Sequence, residues 1–142
     1  MQSRYVAIGL LIVALMGAFS VNLPAQPSDI QEVRVCIFDH ALRTPGGKPG
    51  EPIHIQAGKP CLMTVENYDG IEHEVRFGRN PTANYDGYQE NLMEGFLGLR
   101  LEPGQFVTLL LQIPPEKKGE WEMGSFLPGD YQAGYQLPIV IE

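Results

Sequence analysis

The chain has 142 residues, of which 44% are hydrophobic and 19% are charged, and it contains 16 glycines and 12 prolines. Beyond an apolar N-terminal stretch about 115 residues remain, enough for one domain with a single core. Because Arg4 is the only charged residue among positions 1–26, the remainder carries nine Lys and Arg against seventeen Asp and Glu, a net charge of −8. An acidic chain without a basic cluster repels phosphates, so the composition excludes a nucleic-acid-binding protein.

An uncharged run, Tyr5–Val21, follows Arg4. This order places the rest of the chain on the periplasmic or extracytoplasmic side of a membrane. Two alternatives stay open, a cleaved signal peptide and a retained transmembrane anchor over residues 1–23. We favour the anchor, because the run is longer than the roughly 7–15 apolar residues of a signal peptide. A linker over 24–31 then leads to a domain over 32–142.

Short segments with alternating apolar residues fill most of this domain. They are Glu32–Asp39, Pro52–Gln56, Cys61–Asn67, His73–Phe77, Phe106–Ile113, Glu120–Met123 and Leu137–Glu142. Period-two alternation between Gly- and Pro-containing turns is typical of β-strands. The longest apolar run, Phe106–Ile113, predicts the strongest core strand. The sequence therefore predicts an all-β sandwich or barrel, preceded by a single transmembrane or signal helix.

The segment Gly78–Arg100 interrupts the alternation. It holds three aromatic residues, Tyr85, Tyr88 and Phe96, and its part Gln89–Glu94 fits a short helix. A connection longer than about 12–15 residues is often a functional loop. An ordinary surface insertion is the alternative, and both stay open.

The domain contains two cysteines, Cys36 in the first predicted strand and Cys61 at the start of the third. Two cysteines in an exported domain usually pair. A bridge closing a loop of about 25 residues would stabilise the fold by roughly 3 kcal/mol. The alternative, two soft metal ligands, is less favoured because no His or further Cys is near either one in sequence. We therefore expect a Cys36–Cys61 disulfide.

Several short motifs follow one another in a fixed order. They are Ile53-x-Ile55-x-Ala57-Gly58, Asn67 six residues before His73, His73-Glu74-Val75-Arg76-Phe77, Leu101-x-Pro103-Gly104, Gly119-x-Trp121-x-Met123, and Pro128-Gly129 before the last strand. In order and spacing they resemble the cupredoxins, the plastocyanin and azurin superfamily, over about Glu32–Glu142. The resemblance implies a Greek-key β-sandwich, and the two cysteine positions resemble the azurin-type bridge.

The resemblance also implies where a blue-copper site would lie. Such a site uses two His, one Cys thiolate and a weak axial Met. The first His matches His73, and the other three positions hold Ser125 (or, one residue on, Phe126), Asp130 and Tyr135. A serine hydroxyl is not ionised near neutral pH and does not replace a thiolate. We therefore expect a degenerate site with no copper or other cofactor, in which His73, Ser125, Asp130 and Tyr135 form a hydrogen-bonded cluster.

Other candidate ligands have simpler interpretations. Met63, Met93 and Met123 together suggest a thioether copper site as an alternative, but Met63 and Met123 follow strand patterns and are expected in the core. His54 lies in a strand and is expected to face solvent, and His40 has no assigned role. No Ser-His-Asp or paired-carboxylate arrangement is recognisable, so we expect no enzyme and identify no small-molecule substrate.

These observations favour a non-catalytic binding module that is exported and tethered to the membrane. Its expected partners are subunits of a respiratory or photosynthetic electron-transfer complex, in which it would be an accessory subunit. Exposed aromatic residues are enriched in interfaces. The candidate interface residues are Tyr85, Tyr88, Phe96, Tyr131 and Tyr135.

Two other functions rank lower. One is a periplasmic copper or iron carrier that uses His73, Asp130, Tyr135 or the methionines. The other is copper electron transfer, the usual role in the cupredoxin family, which needs the missing thiolate.

Overall fold

The structure is a computed structural model that describes residues 29–142. Within this range, none of the helices combines the length and the apolar character needed to span a membrane. The expected anchor over 1–23 and most of the linker over 24–31 lie outside the described residues.

Ten strands and one short helix make up the described part of the chain. The strands are β1 Gln31–Phe38, β2 Ala41–Arg43, β3 Ile53–Ile55, β4 Pro60–Asn67, β5 His73–Pro81, β6 Tyr88–Asn91, β7 Leu99–Leu101, β8 Phe106–Gln112, β9 Gly119–Gly124 and β10 Gln136–Ile141, with the helix α1 at Asp130–Ala133 and a 3-10 turn at Pro115–Lys117. One sheet has the order β2-β1-β4-β8, and the other has the order β3-β10-β9-β5-β6, with β7 also paired to β5. The fold is the expected all-β Greek-key sandwich.

Period-two alternation builds the core between the two sheets. In the first sheet, Val35 and Met63 are fully buried between exposed or half-buried neighbours. Leu137 does the same in the second sheet, where Met123 is also fully buried. The core assignment of Met63 and Met123 is therefore confirmed, and His54 on β3 faces solvent as expected.

Two predictions of local structure were wrong. The segment that fits a helix, Gln89–Glu94, begins as strand β6, because Tyr88 packs directly on Gly78, where an added Cβ would lie 2.5 Å from the tyrosine ring. The predicted core strand is β8 at the edge of the first sheet, with Phe106 70% and Leu110 60% exposed. The run was expected to be the strongest core strand, whereas only one face of β8, with Val107, Leu109 and Leu111, packs against the core.

The predicted disulfide is also wrong, since Cys36 and Cys61 are both free thiols. Strands β1 and β4 are parallel, with Gln31 opposite Cys61 and Cys36 opposite Glu66. This register separates the cysteines by five positions, about 16 Å along the strands. A disulfide needs Cα atoms within about 7 Å of each other. In addition, Cys61 faces the core whereas Cys36 lies on the outer face of the sheet.

Candidate functional site

The four positions implied by the resemblance lie together at one end of the sandwich. His73 is the first residue of β5, and Ser125 directly follows β9. Asp130 begins α1, and Tyr135 lies between α1 and β10. His73 and Ser125 are completely buried, while Asp130 is 8% and Tyr135 is 3% exposed. The structure thus brings side chains from distant parts of the chain into one closed cluster.

A buried asparagine shapes the loop that leads into His73. The Asn67 side-chain amide donates hydrogen bonds to the carbonyl oxygens of Ile71, at 2.8 Å, and Leu101, at 2.9 Å. Its Oδ1 accepts a hydrogen bond from the backbone N–H of Asp69 at 3.0 Å. An asparagine that bonds the backbone two residues ahead is a common way to fix a turn. The turn places the Asp69 carboxylate against His73.

Two glycines allow the second loop to close over the site. Gly129 (φ 87°) precedes α1 and Gly134 (φ 109°) follows it, both in the left-handed region that other residues rarely adopt. The Ser125 backbone N–H donates to the carbonyl oxygen of Tyr135 at 2.9 Å, which joins the two ends of the loop. A Cβ at Gly134 would lie only 3.1 Å from the His40 carbonyl oxygen. The loop therefore packs directly on the turn between β1 and β2.

Both ring nitrogens of His73 face carboxylates. Nδ1 lies 2.9 Å from Asp130 Oδ2, and Nε2 lies 3.1 Å from Asp69 Oδ2. An ionised carboxylate only accepts hydrogen bonds, so both contacts are satisfied when each ring nitrogen carries a hydrogen. In that state the imidazolium lies between two negative charges, a buried arrangement in which every charge has a partner.

Ser125 completes the Asp130 side of the cluster. Its hydroxyl donates to Asp130 Oδ2 at 2.5 Å and accepts a hydrogen bond from the backbone N–H of Glu74 at 2.9 Å. The hydroxyl therefore uses both its hydrogen and a lone pair, as a buried polar group needs to. At this position the serine acts as a hydrogen-bonding bridge between β5 and α1.

Asp69 completes the other side. Its carboxylate accepts hydrogen bonds from the Tyr135 hydroxyl, at 2.7 Å, and from the backbone N–H of Asp39, at 3.0 Å. Burial raises the pKa of Asp69, but the hydrogen bonds from Tyr135, Asp39 and His73 outweigh it and hold this pKa below its usual value. Asp69 is thus held in its ionised form.

Tyr135 connects the cluster to the surface. Its ring lies 4.2 Å from the His73 ring between centroids, and its hydroxyl lies 3.2 Å from Nδ1 of His40. Burial, followed by the hydrogen bond to Asp69, raises the pKa of Tyr135. Sequence reasoning missed Asp69 and His40 as members of the cluster. The signal for Asp69 was its place in the turn that begins at Asn67, two residues after the asparagine.

Comparison with known proteins identifies the fold. No family model and no curated protein sequence matches the chain. Reduced rusticyanin superposes with a TM-score of 0.64 at 12% identity, covering 94% of this chain and 95% of that one. Reduced auracyanin from the photosynthetic bacterium Roseiflexus castenholzii superposes with a TM-score of 0.61 at 12% identity, covering 79% of this chain and 97% of that one. The domain is a cupredoxin-like β-sandwich.

A third structure, auracyanin B, agrees with a TM-score of 0.57 at 15% identity, covering 87% of this chain and 95% of that one. At these identities the likeness concerns the fold alone. What the cupredoxin-like domain binds therefore depends on its own residues.

The donor set of this cupredoxin-like domain does not fit a blue-copper ion. Such a site needs a thiolate and a second imidazole beside His73. Cys61 is the second residue of β4, whereas the loop that carries Asp69 follows the other end of that strand, and Cys36 lies on the outer face of the sheet. Within residues 29–142, no three or more His, Cys, Asp or Glu side chains are arranged to hold a metal ion. The groups around His73 are instead paired with one another.

The predicted interface residues differ in exposure. Tyr85 is 41% exposed, whereas Tyr88 is 8% and Tyr135 is 3% exposed, so the expectation that Tyr88 and Tyr135 face a partner is wrong. Tyr88 is buried under the 125–131 loop, with its ring 4.6 Å from that of Phe126. Phe96 is half-buried and packs on Phe77 in the core. Half-buried Tyr131 remains beside Tyr85, with their rings stacked at 5.4 Å.

Proposed function

We propose that this cupredoxin-like domain is a copper-free binding and structural module. In this proposal it is held on the extracytoplasmic side of a membrane by its N-terminal segment. It serves as an accessory subunit of a respiratory or photosynthetic electron-transfer complex. The reduced rusticyanin and auracyanin with the same fold are redox proteins, and this supports an electron-transfer setting.

One observation carries the copper-free part of the proposal. The polar groups at the former ligand positions use their hydrogen-bonding capacity on one another: His73 with two carboxylates, and Ser125 with Asp130 and a backbone N–H. A cation that binds a ring nitrogen of His73 would have to displace the hydrogen between this nitrogen and Asp69 or Asp130 and reorganise the buried hydrogen bonds around it. Any buried polar group left unpaired by this reorganisation costs roughly 1–3 kcal/mol, and more if it is charged. The cluster thus stabilises the loops that copper would otherwise bridge.

Metal analysis of protein purified without chelator tests this part. We expect less than stoichiometric copper and iron and no intense visible absorption, both in the parent and after saturation with copper. The matched positive control is the variant Ser125→Cys/Asp130→His, which restores the thiolate and the second imidazole. Stoichiometric metal that is lost in His73→Ala would reject the proposal and favour the metal carrier.

An aromatic surface next to the cluster supports the binding part of the proposal. Tyr85 stacks on Tyr131 at 5.4 Å, and Tyr131 stacks in turn on Phe126 at 5.0 Å. The hydroxyl of Tyr131 donates to Glu122 at 2.7 Å, which fixes the ring. Rings that are already ordered lose little conformational entropy when a partner covers them. Tyr85 and Tyr131 thus give this acidic domain a rigid aromatic surface to which a partner can bind.

Solubilisation of the membrane in mild detergent, followed by affinity purification and size exclusion, tests the partner. We expect the chain to elute with subunits of an electron-transfer complex in stoichiometric amounts. Tyr85→Ala should weaken this association about tenfold, the effect of a typical interface aromatic residue. The matched control is Tyr68→Ala, since Tyr68 is an exposed tyrosine of another loop, 57% exposed. A chain that elutes alone from the native membrane would contradict the accessory-subunit role.

A further inference from the structure

Strand β8 is an open edge of the first sheet. It comprises seven residues, Phe106–Gln112, and pairs with β4 on one side only. Among the described residues, none forms a backbone hydrogen bond to this strand from its other side. The free edge therefore presents unpaired N–H and C=O groups along about 23 Å.

The other edges in the described part of the chain are protected, and β8 is not. Strands β2, β3, β6 and β7 are only three or four residues long. Each includes a charged or titratable residue; these are Arg43, His54, Glu90 and Arg100. Short length and charge are the usual means by which proteins prevent edge-to-edge pairing. The sequence of β8, FVTLLLQ, has no charge, no proline and no glycine.

The outer face of β8 also exposes apolar side chains. Phe106 is 70% and Leu110 is 60% exposed, and they lie on either side of Thr108. Leu110 lies opposite Leu62 of β4, which extends the apolar surface inward along the sheet. An exposed apolar edge that lacks charge is a typical pairing surface.

We propose that two copies of this chain pair through β8 in an antiparallel, two-fold arrangement centred on Thr108. In this register Phe106 of each copy lies opposite Leu110 of the other, and the two Thr108 residues face each other. Aromatic–aliphatic and Thr–Thr cross-strand pairs both stabilise antiparallel sheets. The same sheet already contains such a pair, Thr64 and Thr108, with hydroxyl oxygens 2.9 Å apart. The two four-stranded sheets join into one of eight strands.

The occupant is a second copy because the edge is complementary to itself. Residues 106 and 110 are equidistant from 108, so a two-fold axis matches an apolar side chain with an apolar side chain on both sides. Residues 27–142 carry a net charge of −8, and β8 is an uncharged edge where two copies can meet without bringing like charges together.

The arrangement is compatible with a membrane tether. The two-fold axis of an antiparallel strand pair is perpendicular to the sheet. The first residues of β1 in the two copies therefore lie at equal distances from a membrane surface that runs parallel to the sheet. Pairing through one strand buries little area, so free copies associate weakly, and confinement to a membrane raises their effective concentration.

Cysteine cross-linking of the full-length chain, in detergent and in its membrane, tests the register. In Thr108→Cys the two new thiols lie on directly opposite residues, whose Cα atoms are about 4.5–5.5 Å apart, within the range of a disulfide. In the control Leu110→Cys the two thiols are four positions apart, about 13 Å along the strands, which is too far. We expect mild oxidation to give a covalent dimer of Thr108→Cys and none of Leu110→Cys or the parent. The absence of a Thr108→Cys dimer, or equal yields from the two variants, overturns the proposal.

Sedimentation in detergent over a range of concentrations tests the association itself. Thr108→Lys places a charge on an exposed position at the centre of the edge, and it should shift the chain from dimer towards monomer by at least tenfold in dissociation constant. The matched control Gln89→Lys adds the same charge at an exposed position of strand β6 and should leave the association unchanged. A parent that stays monomeric at every concentration, or a dimer insensitive to Thr108→Lys, refutes the pairing. Neither result depends on metal content or on a partner complex, so this proposal and the proposed function can fail separately.

Discussion

Replacing Asp130 by alanine tests whether the buried cluster stabilises the loops around it. Asp130 Oδ2 accepts hydrogen bonds from His73 Nδ1 at 2.9 Å and from Ser125 Oγ at 2.5 Å. The substitution removes both acceptor contacts at once. It leaves Nδ1 of His73 and the hydroxyl hydrogen of Ser125 without an acceptor at positions that have no exposure to water.

The expected loss follows from these contacts. A hydrogen bond to a charged group contributes about 1.5–3 kcal/mol, and removing one member of a buried ionic group costs about 3–5 kcal/mol. We therefore expect the free energy of unfolding to fall by about 3–5 kcal/mol. For a domain of this size the melting temperature should fall by roughly 10–20 °C.

Urea unfolding followed by fluorescence of Trp121 measures this change. Asp130→Asn should lose less than the alanine variant, because its amide oxygen still accepts one hydrogen bond. The control Glu120→Ala, at an exposed position of β9, should change stability by no more than about 0.5 kcal/mol. A loss below about 1 kcal/mol in Asp130→Ala would show that the cluster does not hold the loops, and would refute the reasoning.

Three further predictions address acid stability, packing and the thiols. The pKa of Asp69 is lower in the folded than in the unfolded state, so its contribution is present above about pH 4 and is lost as the pH falls through the folded pKa. Asp69→Asn should therefore flatten the acid limb of a stability–pH profile, and an unchanged limb would contradict this. Gly78→Ala should lower the free energy of unfolding by about 1–3 kcal/mol in urea titrations, because the added Cβ would lie 2.4 Å from the Glu90 carbonyl oxygen and 2.5 Å from the Tyr88 ring. The control Gly70→Ala, whose Cβ would have nothing within 4 Å, should leave the free energy of unfolding nearly unchanged. Equal losses in the two variants would refute the close packing at Gly78. Thiol titration of the denatured chain without reductant should count both cysteines, and a count of zero would restore the predicted disulfide.

The site was predictable in part, because its frame follows local rules. The Pro128-Gly129 turn and the Asn67 turn are read from residue types with known backbone preferences, and the resemblance to the cupredoxins placed His73, Ser125, Asp130 and Tyr135 next to them. Which groups would satisfy them was only partly local. Asp69 lies in the Asn67 turn itself, four residues before His73, whereas His40 reaches the cluster only because the turn between β1 and β2 meets the same end of the sandwich.

What the sequence by itself determined is the β-sandwich and its core, because period-two alternation makes one face of each strand apolar whatever its neighbours are. It also determined the absence of a copper thiolate at the loop after β9, since Ser125 and Phe126 have no thiol. Strand neighbours and register were decided only by the tertiary structure. They separated Cys36 from Cys61, buried Tyr88 and left β8 at an open edge, because such contacts depend on which distant segments lie side by side.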